Sequence, residues 1–514
     1  MADLAVASRR SSVGPIVVSV LIAVVLVLYM GLWRGIWFDE LLHFATGGMT
    51  FDYLVRTIDY TTIHVNHGQT GVYFVLDWIL LQVFGASAIF LRAPSLVSAL
   101  VLLVSAVLFL RAKGFGWKWQ ALAVIALGAN ESLMFYTGEA RPYMPLAASA
   151  AAMLTFYALP GDDRRRWWAR ALGVFGFIFG AVIHPYWIFM WGLIAAFSLA
   201  VALVSDRQMR TLGGAWGFVA PAYVIPSLVL YAVVAQLTWM RRIINFGWDR
   251  DSIYSWPSLI NAFLQDHFAF APFAYPPRAG TWEIDAGVII PTAIAAVAVL
   301  TAGWLVADRR SRSVKLVAPG VLLLIAGGSS IFASYLSYRS QYIIFERQWV
   351  AGMALTTIAW TWFFAEWWRN ARGRSTLAAL PALAFVALAL VSFAISAATQ
   401  AAVTVDRYHS WQAIERDTRS IDELTQRAAG VDYFNYEPVR PEQGYGYLAS
   451  VNVARGGPVW EEFIRWYNSQ AGMRQEFREQ DVNWTDIIWP APSTQSFLCL
   501  PERQWECPVP AAGP

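Results

Sequence analysis

Charge is what this sequence has least of. Only 14% of its 514 residues are Asp, Glu, Lys or Arg, and 57% are hydrophobic. Soluble domains carry about 25% charged residues, so most of this chain lacks the charge needed to coat a water-facing surface. Lysine is scarce: Lys113, Lys118 and Lys315 are the three in the chain, and the remaining basic residues are Arg. Cysteine is confined to Cys499 and Cys507, eight positions apart near the C-terminus. In an oxidising compartment they could pair, and elsewhere they would be two free thiols. No Walker A string, Gly-rich dinucleotide loop or nucleophile elbow occurs, which argues against an energy-coupled pump. No internal repeat or low-complexity segment is evident either.

Long apolar runs take the place of the missing charge. A helix needs roughly 20 apolar residues to cross a bilayer. Candidate spans lie at about 13–33, 89–110, 119–136, 143–160, 171–185, 187–204, 213–237, 286–307, 315–336, 348–366 and 376–399. The 26 tryptophans suit a membrane protein, whose interfaces favour amphipathic rings. The first run has no convincing cleavage site and reads as a retained helix. Basic residues then set the orientation, because short cytoplasmic loops collect Lys and Arg. Arg9 and Arg10 precede the first span. Arg111, Lys113 and Lys118, then Arg164 to Arg166, then Arg207 and Arg210 fall in every second connection. The alternation continues with Arg309, Arg310, Arg312 and Lys315, and with Arg369, Arg372 and Arg374. The N-terminus is therefore expected inside, and the tail from about residue 400 outside.

That register requires residues 71–86 not to cross. The segment is short and carries Asp77 and Gln82, which are costly in hydrocarbon. A helix lying at the outer interface is expected instead. The outer face then comprises loops at about 34–88, 137–142, 238–285 and 337–347, a turn near His184, and the tail. Residues 401–514 have an ordinary soluble composition and are long enough for a small α+β domain.

Chemistry-bearing residues gather on this outer side. Trp37-Phe-Asp-Glu-Leu-Leu-His43 follows the first span. Its Asp39 and Glu40 could supply a general base or a metal ligand, or Asp39 could cap a helix N-terminus. Between the third and fourth spans lies Tyr136-Thr-Gly-Glu139-Ala-Arg141-Pro-Tyr143. Its Glu139 and Arg141 could form an ion pair, or orient a substrate and bind a phosphate. Pro142 suits a helix start. Arg241, Arg242, Arg339 and Arg347 join Arg141 on the face where the charge rule does not call for Arg. They read as phosphate ligands or as snorkelling side chains. His43, His64 and His67 could join Asp39 around a divalent metal, or lie as ordinary interfacial histidines. His184 is open to packing or substrate contact.

At these residues the sequence resembles the GT-C superfamily of polyprenyl-phosphate-sugar-dependent glycosyltransferases. The nearest group holds protein O-mannosyltransferases and the lipid A aminoarabinose and galacturonic acid transferases. Phe38-Asp39-Glu40 is similar to the family's acidic motif, and Asn66-His67-Gly-Gln-Thr-Gly-Val-Tyr73 with Asp77 to Gly85 is similar to its interfacial helix. Leu91-Arg92-Ala-Pro-Ser-Leu96 and Tyr136 to Tyr143 match the strings opening its next spans. The likeness is good over about residues 15–200 and holds only in layout beyond. Gly-Gln-Thr stands after His67 where the family has a double proline, and the family's late Arg-Tyr string is matched loosely by Tyr338-Arg339 or Glu346-Arg347.

The resemblance implies a mainly α, polytopic membrane protein of the GT-C type. It would have about 11 transmembrane helices, interfacial helices in the first outer loop, and a small α+β outer domain. Residues 1–400 would form the catalytic membrane domain and 401–514 a periplasmic domain, in a bacterial inner membrane with the N-terminus cytoplasmic. It implies an inverting transferase moving a sugar from a polyprenyl-phosphate donor to a hydroxyl of a glycan, lipid or protein. Asp39, Glu40 and Glu139 are the expected catalytic residues. Arg141, Tyr143, His43, His67, Arg241, Arg242, Arg339 and Arg347 are the expected substrate ligands. No cofactor is required beyond a possible divalent metal, and no nucleic acid is expected as a partner. The rival classes are a transporter or flippase of lipid-linked glycans, which would favour mid-span charges and repeats, and a non-catalytic scaffold. The topology has a direct check: protease added to spheroplasts should remove the 401–514 tail, while sealed inside-out vesicles should protect it. The opposite pattern would invert the register.

Overall fold

The computed structural model describes residues 70–84, 88–203, 220–234, 317–339, 349–371 and 379–394, with residues 14, 17, 21, 43, 51, 54, 55, 267 and 397. Every element among the described residues is helical. In chain order they are α1 (Val72–Phe84), α2 (Ala88–Ala112), α3 (Trp117–Ala129), α4 (Glu131–Thr137), α5 (Tyr143–Ala158) and α6 (Gly161–Arg164). There follow α7 (Trp167–Ile183), α8 (Trp187–Leu203), α9 (Ile225–Val234) after a π-helical turn Ala220–Val224, α10 (Val317–Arg339), α11 (Val350–Ala371) and α12 (Ala379–Ala394). The expected span at 13–33 is described only at residues 14, 17 and 21. The expected span at 286–307 and the outer domain with Cys499 and Cys507 lie outside the described residues.

Ile89–Ala112 is, among the described residues, the helix long and apolar enough to cross a bilayer by length and composition. The other apolar stretches found there run 10–17 residues. Several helices are turned inside out relative to a water-soluble fold. Ser227 is the buried residue of α9, while Ile225, Val229, Leu230 and Val233 are exposed. Helix α12 exposes Leu380, Leu383, Leu390 and Val391. In α1 the carboxylate of Asp77 is fully buried and Ile79, Val83 and Phe84 face outward. Apolar faces of that extent are unstable against water and call for an apolar surrounding.

Helix α5 is the centre of the bundle, buried from Tyr143 to Tyr157 and packed against α2, α7, α8 and α11. Its middle reads Ala147-Ala-Ser-Ala-Ala-Ala152. Small side chains let neighbouring backbones come close, which is how helices pack where lipid removes the hydrophobic drive between them. Thr155 Oγ1 donates across to the Ser105 carbonyl at 2.9 Å, and Ser95 Oγ donates to the Arg141 carbonyl at 3.0 Å. These two ties, one near the start of both helices and one further along, make α2 and α5 run side by side in the same direction.

On the opposite flank α7 passes through a π-helical stretch, Val174–Phe179. The Gly180 N–H bonds to the carbonyls of Phe175 and Phe177 and skips that of Gly176. The Gly176 carbonyl instead accepts from Ser149 Oγ of α5 at 2.6 Å and from Trp187 Nε1 of α8 at 2.9 Å. A widened turn thus frees one carbonyl to join three helices.

Sequence reasoning expects one helix over 119–136. The structure breaks it at Asn130, whose side-chain oxygen accepts from the Leu133 N–H at 3.0 Å and caps α4. Asn is among the best residues for that position, because its short side chain satisfies a donor left over at the helix start. At the other end of the bundle, α2 closes on Gly114 with φ +78°, and the Phe115 N–H reaches back to the Leu110 carbonyl at 3.0 Å. This is a Schellman ending, with glycine at the left-handed position. Arg369, at the end of α11, donates to the carbonyls of Lys113 and Gly114 and stacks on the Phe115 ring at 3.9 Å.

Among the described glycines, Gly180 is the one least able to gain a side chain. A Cβ there would strike Ser149 Oγ and come within 2.6 Å of the Trp187 ring. Both groups hold the Gly176 carbonyl, so Gly180→Ala should lower stability by about 1–3 kcal/mol, read as a fall in Tm of the detergent-solubilised protein. An unchanged Tm would show that the three-helix joint relaxes freely.

Candidate active site at one end of the bundle

The turn between α4 and α5 carries the first candidate residues. Thr137 Oγ1 donates to the Leu133 carbonyl at 2.9 Å as α4 ends, and the Arg141 N–H donates to the Glu139 carbonyl at 2.8 Å. Pro142, with φ −75°, sets the start of α5, and the Leu146 N–H bonds its carbonyl at 3.0 Å. Tyr136 and Tyr143 flank the turn in sequence, and their rings meet edge to face with centroids 5.7 Å apart. Glu139 and Arg141 are each completely buried. Enclosing opposite charges two residues apart is costly, which sets this turn apart from an ordinary loop.

His43, ahead of α1 in the chain, reaches the same place. His43 is fully buried, with Nδ1 2.5 Å from Asp77 Oδ2 of α1. Its ring stacks on Phe74 at 4.0 Å and meets the edge of Tyr73 at 5.3 Å. The Tyr73 hydroxyl is 2.8 Å from Ser95 Oγ, and Ser95 Oγ in turn donates to the Arg141 carbonyl. A continuous run of contacts therefore leads from His43 through α1 and the start of α2 to the Glu139–Arg141 turn. Arg92, one turn before Ser95 on α2, is also completely buried.

The turn between α7 and α8 closes a third side. Thr70 Oγ1 donates to the Ile183 carbonyl at 3.2 Å, and the Tyr231 hydroxyl donates to the Pro185 carbonyl at 3.0 Å. The Tyr186 N–H donates to His184 Nδ1 at 3.1 Å. That bond leaves the neutral ring its proton on Nε2. The His184 ring lies 5.7 Å from Tyr143 and 5.1 Å from Tyr186. Burial pushes its pKa down to about 3, so it is uncharged at physiological pH.

Of the residues expected from sequence, the structure brings His43, Glu139, Arg141 and Tyr143 to this one end of the bundle. Arg339 is the last residue of α10. Asp39, Glu40, His67, Arg241, Arg242 and Arg347 lie outside the described residues, as does His64. Asp77, Tyr73 and Ser95 were not among the sequence candidates. Asp77 had a visible signal, a carboxylate within an apolar segment, whereas Tyr73 and Ser95 had none. Among the described residues no group of three or more His, Cys, Asp or Glu side chains could hold a metal ion.

No family model matches the chain, and no curated protein matches it. Among solved structures it is similar to the crystal structure of ArnT from Cupriavidus metallidurans in the apo state, at 15% identity and a TM-score of 0.41. That likeness covers 92% of this chain and 74% of the other.

The depressed His184 pKa has a consequence for stability. Between about 3 and the ordinary 6.5 the unfolded chain binds a proton that the folded chain does not. Stability contributed by the neutral, buried ring is therefore complete above 6.5 and is lost as pH falls toward 3. Thermal unfolding followed across that window should show wild-type Tm falling with pH, and His184→Phe should flatten the slope. A variant with the wild-type slope would refute the assignment.

Proposed function

We propose that this chain is an integral-membrane glycosyltransferase of the GT-C type, working on the outer face of a bacterial inner membrane. Its donor would be a polyprenyl-phosphate sugar and its acceptor a hydroxyl of an envelope glycan, of lipopolysaccharide, or of a protein. The observation that carries this reading is the enclosure of Glu139, Arg141 and the His43–Asp77 pair at one end of a bundle whose outward faces are apolar. Support comes also from the order of motifs along the sequence, with Phe38-Asp39-Glu40 shortly before His43 and Glu139-Ala-Arg141-Pro-Tyr143 at the start of α5.

The chemistry is a single displacement. Asp39 accepts the proton of the acceptor hydroxyl as its oxygen bonds to the anomeric carbon. The bond from that carbon to the phosphate oxygen breaks on the opposite face, the configuration inverts, and polyprenyl phosphate leaves. Arg141, with Arg241, Arg242, Arg339 or Arg347, offsets the charge that develops on the departing phosphate. Glu40 and Glu139 orient the acceptor, and Tyr143, His43 and His67 line the sugar. The sugar arrives already activated, so the reaction needs no nucleotide.

Purified protein in liposomes, given a polyprenyl-phosphate sugar and a mixture of envelope acceptors, tests this directly. Asp39→Asn should reduce transfer by about 10²- to 10⁴-fold, the usual contribution of a positioned base, with an unchanged Tm. Near-normal transfer by that variant would remove Asp39 from the chemistry.

A further inference from the structure

The Nε2–H of His184 has no acceptor among the described residues. The residue closes α7 in extended backbone, φ −150° and ψ 135°, and its carbonyl accepts from the Trp187 N–H at 3.1 Å. The carbonyls on either side, of Ile183 and Pro185, are held by Thr70 and Tyr231. The Tyr186 N–H occupies Nδ1 at 3.1 Å, the same closure that an Asn side chain makes with the residue two positions on. Contacts from α8, from α9 and from the chain just ahead of α1 therefore fix this ring before any ligand arrives.

With Nδ1 taken as an acceptor, the neutral ring carries its proton on Nε2. The side chain is only 5% exposed. An N–H enclosed to that degree without an acceptor is costly, and native structures rarely keep one without a use. Burial holds the imidazole uncharged at physiological pH. What it offers is one directed hydrogen bond and no net charge.

The surroundings say what would accept that bond. The Tyr143 ring lies 5.7 Å from His184 and the Tyr186 ring 5.1 Å, each tilted by 55°. Tyr143 opens α5 two residues beyond Arg141. A phosphate selects forked cations, which Arg141 supplies and a neutral imidazole does not. Aromatic walls with a few fixed polar groups are the usual lining of a small-molecule site. A sugar offers both surfaces they need, C–H faces for the rings and hydroxyls for the donor.

We propose that His184 binds the sugar of the lipid-linked donor, giving its Nε2–H to a sugar hydroxyl beside the ring of Tyr143. This inference rests on the glycosyl-transfer reading, and it names a contact to the sugar that the carrier phosphate does not share.

His184→Asn separates that contact from the architecture of the turn. The shorter side chain keeps an oxygen for the Tyr186 N–H, while its amide nitrogen falls short of the position of Nε2. In liposomes, with a polyprenyl-phosphate sugar that the wild-type protein transfers, donor KM should rise about 3- to 10-fold, the usual worth of a neutral hydrogen bond. Inhibition by polyprenyl phosphate without a sugar should stay within about twofold of wild type. Equal weakening of both would show a loosened turn, and no change in either would show a packing role. Weakened inhibition alone would put the bond on the phosphate. Each of these three results overturns the proposal. If the Asn variant does not fold, His184→Phe, which keeps a ring of similar size, is read by the same comparison. Absence of transfer by the wild-type protein would instead refute the enzyme reading and take this inference with it.

Discussion

The rest of the structure depends on how closely the other helices can approach α5. In an apolar solvent the association of helices comes from contact and hydrogen bonding, and both fall off within an ångström or two. The run from Ala147 to Ala152 keeps side-chain bulk off the α5 surface. On one flank that lets Ser149 reach into α7 and bond the Gly176 carbonyl, which the π-helical stretch leaves open. On the other it lets Thr155 bond the backbone of α2. The consequences appear at the end that carries the Glu139–Arg141 turn. The register of α2 places Ser95 under the Arg141 carbonyl, and the register of α7 delivers His184 beside Tyr143. A shift of one residue in either helix would separate these groups, so the site is a by-product of packing several turns away.

Both ends of the bundle bury charge, with different partners. At the end that carries the α2–α3 turn, Arg164 and Glu366 are buried, and Arg369 lies partly exposed with its guanidinium on the Phe115 ring and its donors on carbonyls of that turn. This is stabilisation of a helix ending by a cation, and it costs little because water still reaches the group. At the opposite end Glu139, Arg141, Arg92, Asp77 and His43 are withdrawn from contact with solvent altogether. An apolar repacking of such groups would be as stable or more so.

Much of this was legible in the sequence, and the failures have physical causes. Hydrophobic runs mark α2, α5, α8 and α10 with ends within a few residues of those described, and Pro142 marks the start of α5. The segment expected to form a short helix at 71–86 emerges as α1, Val72–Phe84. The break at Asn130 is a local capping signal outweighed by the apolar run around it. The π-helical stretch leaves no trace, since Val174-Phe-Gly-Phe-Ile-Phe179 would be equally content as α-helix. Of the site, Glu139, Arg141 and Tyr143 stand out as polar residues clustered at a helix junction. The His43–Asp77 pair does not, because its members are 34 positions apart. From sequence Asp77 reads as a penalty against crossing the membrane, and only the fold reveals that the penalty is answered by a partner.

Burial of Arg141 bears on the proposed reaction in a further way. In the donor the phosphate is a diester with a single negative charge, and as the sugar departs it becomes a monoester whose charge rises toward about −2. A cation beside it therefore attracts the transition state more strongly than the bound donor. Only that difference accelerates a reaction; attraction felt equally by both states tightens binding without raising turnover. The difference is magnified where water is excluded, since the same change in charge is screened less. An exposed Arg at a helix end would supply little of this effect. An Arg held fully buried in a rigid turn, with its backbone carbonyl pinned by Ser95 and the next helix started by Pro142, is oriented before the charge appears. The energy lost in desolvating it on folding is then the counterpart of the selectivity it would show for the leaving phosphate over the intact donor.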